Sequence, residues 1–230
     1  MAETIVPRPP GGGRLAFPRR YRLAAILAAV PTLAFGGFVE AEEMKPLKIV
    51  TFGTSLTARG GWQAPLRDAL SECLSRPVDI VVVAKSGATS QWAIGTVDEV
   101  AREAPDIVLV EFYANDAALN RFMTVATSRS NIAAVLDDLR RQLPKARILV
   151  MAMNPFTGLR GWLRPFVDSY VEAHTQEAQT RGIEFVDHRP AWHRLYGDDL
   201  SAAIPDGVHP LPEKAAAAMV PTLAVRLCQR

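Results

Sequence analysis

The chain has 230 residues, 49% of them hydrophobic and 22% charged, with 26 basic and 24 acidic side chains. This is ordinary globular composition at a length for which one domain is expected. The basic excess is local: five basic and two acidic side chains fall within residues 1–41, and the remainder carries net −1, which argues against nucleic-acid binding.

Residues 1–22 are rich in Pro, Gly and Arg and contain no core segment. A 17-residue apolar run follows over residues 23–39, then Val39-Glu40-Ala41 and the acidic pair Glu42 and Glu43. A basic lead, an apolar middle and a small-x-small exit are the three parts of a secretory signal, with cleavage expected after Ala41. The alternative is a membrane anchor at residues 23–39, but that run is at the lower limit for crossing a bilayer and is interrupted by Pro31, Gly36 and Gly37. Arg19-Arg20 hints at twin-arginine export, against which stand Pro18 and Arg22. The expected product is a periplasmic or secreted domain over residues 42–230.

Through that domain, short β-branched runs alternate with helical patterns. In chain order these are strand 47–52, helix 61–75, strand 78–84, helix 91–103, strand 106–112, helix 128–143, strand 146–152, helix 162–181, strand 183–188 and helix 212–228. The strands are nearly continuous apolar runs, which suits strands covered on both faces. Thr96 to Glu99 has capping-box spacing, and Pro105, Pro144 and Gly182 fall where helices should stop. Five alternations imply a three-layer α/β/α domain around a five-stranded parallel sheet. Ligands in such sheets bind beyond the carboxyl ends of the strands.

The residues at those ends are therefore the ones to read. Ser55 follows the first strand in "FGTSLT", Gly87 the second in "KSGATS", and Asn115-Asp116 the third in "YANDA". The fourth strand leads into "MNPFTGLRGW", and the loop after the fifth carries "IPDGVHP", with Asp206 three residues before His209. Singly, each has a plainer reading: Ser55 a helix cap, Gly87 a turn, Asn115-Asp116 an Asx turn, Asp206-Gly207 a turn dipeptide. Jointly, four turns bring groups suited to acyl transfer to one edge. No Gly-Lys-Ser/Thr phosphate loop and no dinucleotide glycine pattern follows any strand. The four histidines lack His-x-x-x-His spacing and the two cysteines are distant, so no metal and no cofactor is expected. His188 and His193, flanking Trp192, read as structural or surface residues of a loop.

In order and spacing, these blocks resemble the SGNH/GDSL hydrolase family over essentially the whole domain. The resemblance implies the flavodoxin-like SGNH fold with Ser55 as nucleophile, and it matches Gly87 and Asn115 to the glycine and Asn-containing blocks and Asp206 and His209 to the Asp-x-x-His block. Two positions depart from it: Thr54 stands where the family has the aspartate of Gly-Asp-Ser-Leu, and Tyr113 where it has a glycine.

Chemically the set is coherent. A serine hydroxyl needs an adjacent base, and the imidazole of His209 is the candidate. Asp206, one turn earlier, would fix the imidazole tautomer. The oxyanion donors would be the backbone N–H groups of Ser55 and Gly87 and the side-chain amide of Asn115. The reading is an esterase acting on a small-molecule or glycan ester (acyl, acetyl or thioester). The rivals are an O-acyltransferase acting on cell-envelope glycans and a catalytically silent envelope-binding module. Tyr113, Phe156, Arg160 and Trp162 are expected near the pocket mouth, with Arg160 suited to an anionic substrate. Cys73 and Cys228 are either a disulfide joining the first and last helices of the domain or two buried thiols.

Overall fold

Strand β1 (Leu47–Gly53) explains why the apolar runs are continuous. Leu47 and Ile49 enter one core, while Val50 and Phe52 enter a second core on the opposite face. The computed structural model describes residues 44–229, so the leader expected over residues 1–41 lies outside the described residues. Strands β2 (Val78–Ala84), β3 (Ile107–Glu111), β4 (Arg147–Ala152) and β5 (Glu184–Asp187) complete a parallel sheet in the order β2-β1-β3-β4-β5.

That order sets the site. The chain leaves β1 toward β2, then crosses back over β1 to enter β3, so the connections reverse direction between β1 and β3. Gly53 pairs with Ala84 on one side and Glu111 on the other, so β1, β2 and β3 end level with one another. Residues just beyond these three ends therefore meet at one rim, at the switch point where open α/β sheets bind ligands.

In chain order the helices are α1 (Ser55–Ala58), α2 (Gln63–Leu74), α3 (Ser90–Ile94), α4 (Val97–Arg102), α5 (Tyr113–Asp116), α6 (Val125–Gln142), α7 (Gly158–Trp162), α8 (Val167–Thr180), α9 (Arg189–Tyr196) and α10 (Pro212–Cys228), with a 3₁₀ turn at Leu119–Arg121. Leu66 and Leu70 of α2 meet Met219 and Leu223 of α10 and Trp192 of α9 on one face. Val97 and Val100 of α4 and the Ile132, Val135, Leu136 and Leu139 stripe of α6 cover the other. Cys73 and Cys228, at the ends of α2 and α10, are bonded, with Cα atoms 6.1 Å apart.

The helical pattern departs from expectation in three places. The segment 91–103 is two helices broken at Gly95-Thr96. Thr96 begins the second without capping it, because its hydroxyl donates to the Trp92 carbonyl at 3.0 Å. The segment 162–181 is divided by Pro165, which disfavours helical backbone at the residue before it. The loop expected around Trp192 is helix α9: Pro190 suits its first turn, and the Trp192 indole is buried, donating to the Met153 carbonyl at 2.8 Å. His188, at the start of α9, is buried, and burial pushes its pKa down to about 4, whereas His193 is exposed.

Candidate active site

Ser55 is the first residue of α1, directly beyond β1. The cap of that helix is the residue before it: the Thr54 hydroxyl accepts the Leu56 N–H at 3.2 Å. Thr54 thus takes the capping role and leaves the Ser55 hydroxyl for other contacts. Ser55 Oγ lies 2.8 Å from His209 Nε2, across 154 residues of sequence. His209 Nδ1 lies 2.7 Å from Asp206 Oδ2. An ionised carboxylate only accepts, so Nδ1 carries the proton and Nε2 presents its lone pair to the serine.

The loop that carries Asp206 and His209 is tightly specified. Asp206 Oδ1 accepts the backbone N–H groups of His209 at 2.6 Å and Val208 at 2.9 Å, and Oδ2 also accepts from Arg160 Nη1 at 2.9 Å. Partial burial works to raise the Asp206 pKa, but the bonds from the His209 ring and from the His209 and Val208 N–H groups outweigh it and hold the carboxyl well below the usual carboxylate range. Gly207 has φ +77°, and a Cβ there would run into the Thr157 carbonyl, so this turn needs glycine. The loop is anchored from behind by Asn154, whose Nδ2 donates to the Val208 carbonyl at 3.0 Å. Tyr113 in turn donates to the Asn154 carbonyl at 2.8 Å and accepts from the N–H groups of Met153 and Asn154.

Gly87 adopts φ +81° in the turn after β2. Asn115, in α5, is buried to 7% exposure, and its Nδ2 donates to the Ala88 carbonyl at 2.8 Å, tying α5 to the Gly87 turn. A buried relay behind this pair fixes both. Asp116 accepts from the Ser90 N–H at 2.8 Å and the Ser128 hydroxyl at 2.6 Å, leaving that hydroxyl's oxygen to accept from His174 Nε2 at 2.9 Å. Ser55, Gly87, Asn115 and His209 share one open cleft of about 340 Å³.

Of the four residues expected at the mouth, Arg160 lines this cleft and the other three do not. Tyr113 is 1% exposed and braces the exit of β4 rather than meeting ligand. Phe156 packs against Tyr113 and lines a neighbouring cleft of about 640 Å³ with Val167 and Pro190. Trp162 is 81% exposed on α7, a helix that turns it outward. Sequence reasoning missed Asn154 and Asp116 as supports; each was signalled by a polar residue at a strand end, in "MNPF" and "YANDA". It also missed Glu111, the last residue of β3. This carboxylate is fully buried and accepts from Thr54 N at 2.6 Å, Thr54 Oγ1 at 2.9 Å and Thr57 Oγ1 at 2.8 Å. Desolvation outweighs these bonds and raises its pKa to about 7. Among the described residues no cluster of His, Cys, Asp and Glu is arranged to hold a metal.

Residues 51–216 match the model of the GDSL-like lipase/acylhydrolase family. A GDSL esterase/lipase of Arabidopsis thaliana is 27% identical over 139 residues, 53% of this chain and 56% of that protein. The chain thus spans about half the length of the plant relatives it matches. An isoamyl acetate-hydrolyzing esterase 1 homolog of Bos taurus is 26% identical over 196 residues, 72% of this chain and 76% of that protein. Among solved structures, the fold is shared with an acetylxylan esterase from Geobacillus stearothermophilus at a TM-score of 0.65 and 20% identity, covering 81% of this chain and 96% of that one. Sequence blocks, sheet order and the match over residues 51–216 agree, and the chain belongs to the GDSL-like lipase/acylhydrolase family.

Proposed function

We propose that the protein is an exported serine hydrolase that cleaves carboxylic esters through an acyl-enzyme on Ser55. The observation that carries this reading is the continuous Ser55–His209–Asp206 hydrogen-bond relay, opening on the same cleft as Gly87 and Asn115. His209 Nε2 takes the hydroxyl proton as Ser55 Oγ bonds to the ester carbonyl carbon. Asp206 stabilises the imidazolium that results. The tetrahedral oxyanion is met by the N–H groups of Ser55 and Gly87 and by the Asn115 amide, which has two N–H bonds and spends one on Ala88. Ser55 is the first residue of its helix, where N–H groups have no partner within the helix. Collapse breaks the ester C–O bond, and the proton on His209 passes to the departing alcohol. Water, deprotonated by His209, then releases the acid and restores the serine.

The relatives named for isoamyl acetate and acetylxylan direct attention to acetyl esters of alcohols or glycans. Export is supported by the apolar run at residues 23–39 and by the Cys73–Cys228 bond, which suits an oxidising compartment. Among the described residues no helix is long and apolar enough to cross a membrane. Serine-directed organophosphonate labelling tests the assignment: the wild type should be labelled and the Ser55→Ala protein should not. Equal labelling of both proteins would refute it.

A further inference from the structure

The walls of the cleft are unusually one-signed. Arg59, Arg121, Arg160 and Arg164 all line it, and no carboxylate does. Arg160 is the one of the four that has an ion-pair partner among the described residues, and that partner, Asp206, is already engaged by His209. Arg164 is the most informative, being only 8% exposed. Its Nε donates to the Ala114 carbonyl at 2.7 Å and its Nη1 to the Arg160 carbonyl at 2.9 Å, and the guanidinium lies 4.7 Å from the centre of the Phe156 ring. Burying a cation against carbonyls with no carboxylate partner costs stability. Burial first, then repulsion from Arg160 and Arg121, lowers its pKa from the ordinary arginine value. A chain that needed these residues only for packing would be more stable with apolar ones.

The cations also stand where a reacting ester would be held. A Cβ built on Gly87 would lie 2.9 Å from Arg121 Nη2, so that guanidinium sits directly over the turn whose N–H is assigned to the oxyanion. Arg121 and Arg59 are exposed and line the same cleft as the buried Arg164.

Building on the esterase reading above, we infer that the substrate is an ester bearing an anionic group, carboxylate or phosphate, within a few atoms of the scissile carbonyl. Arg59 and Arg121 attract and clamp the anion, and Arg164 supplies fixed positive potential from the floor. A cleft of one sign raises the local concentration of opposite charge, with typical gains of roughly 10- to 1,000-fold in capture rate that fall with ionic strength.

Two matched ester pairs test this on the full chain. Methyl hydrogen succinate against methyl butyrate places a carboxylate on the acyl side. 2-Acetoxyethyl phosphate against 2-methoxyethyl acetate places a phosphate on the alcohol side. In at least one pair the anionic member should have the higher kcat/KM by roughly 10-fold or more at low salt. That ratio should shrink with added salt and in Arg59→Gln and Arg121→Gln, and the pair that responds identifies the anion and its side. Equal or better cleavage of the neutral member in both pairs would overturn the inference while leaving the esterase reading intact. If no ester is cleaved, the esterase reading fails. Calorimetric binding of the same compounds to Ser55→Ala then decides the anion site: tighter binding of the anionic members upholds it, and equal or weaker binding overturns it.

Discussion

Glu111 is where one side chain has the largest consequence outside the relay. It fills the space beside Thr54 and Thr57, directly beneath the turn that presents Ser55. Because burial raises its pKa from 4.5 to about 7, the folded state prefers the proton on. The stability this group lends is complete below pH 4.5 and is lost as pH rises through 7, a change on the order of 3 kcal/mol. Glu111→Gln removes the titration, so its urea midpoint should gain on the wild type between about pH 5 and about pH 8. Parallel profiles for the two proteins would contradict this account. In the relay itself, Asp206→Asn should lower kcat by roughly 10⁴-fold, because Nδ1 loses its acceptor and the tautomer is no longer fixed. Asn115→Ala should cost about 10²- to 10³-fold in kcat. An effect of Asn115→Ala confined to KM would argue against its oxyanion role. Ser55 could be placed because strand ends dictate where a chain turns, and Asp206 and His209 because their spacing resembles the family's Asp-x-x-His block. Glu111 was not, because a carboxylate ending an apolar strand looks solvent-facing until its neighbours are known.

At the level of elements, the five strands were readable to within one residue at each end, most plainly β1, β3 and β4, where burial on both faces forces long apolar runs. Helices were less so. α9 is eight residues long, and its histidine and two arginines mask the apolar face made by Ala191 and Trp192. The pairing of α2 with α10 shows what sequence left open: Cys73 and Cys228 are brought together only because these two helices pack side by side on one face of the sheet. The bond closes a loop spanning 155 residues, for which the chain-entropy model gives about 5 kcal/mol. Replacing both cysteines with serine should therefore lower the urea midpoint of the folded domain clearly while leaving Ser55 open to organophosphonate. Unchanged stability would show that the bond is not formed in the isolated protein. The relay through Asp116, Ser128 and His174 works at the same scale, since it ties α3, α5, α6 and α8 together behind Gly87 and Asn115. Asp116→Ala should leave Gly87 and Asn115 loosely held, lowering kcat without removing any group proposed to touch substrate.

For the molecule as a whole, the site follows from strand order. A parallel sheet whose connections reverse between β1 and β3 must open there, and the ends of β1, β2 and β3 each deliver one polar group to that opening. The fourth contribution arrives from far along the chain, on a loop held by Asn154, Gly207 and the Asp206 turn. In the proposed reaction every part of this arrangement serves one event, the transient bonding of an acyl group to Ser55 Oγ. Acid quenching during steady turnover of an acetyl ester, followed by mass spectrometry of the Ser55 peptide, measures that event directly. The account predicts an acetyl adduct on Ser55 that disappears as substrate is exhausted. A Ser55 peptide left unmodified while Asp206 or another residue carries the acetyl group would contradict it.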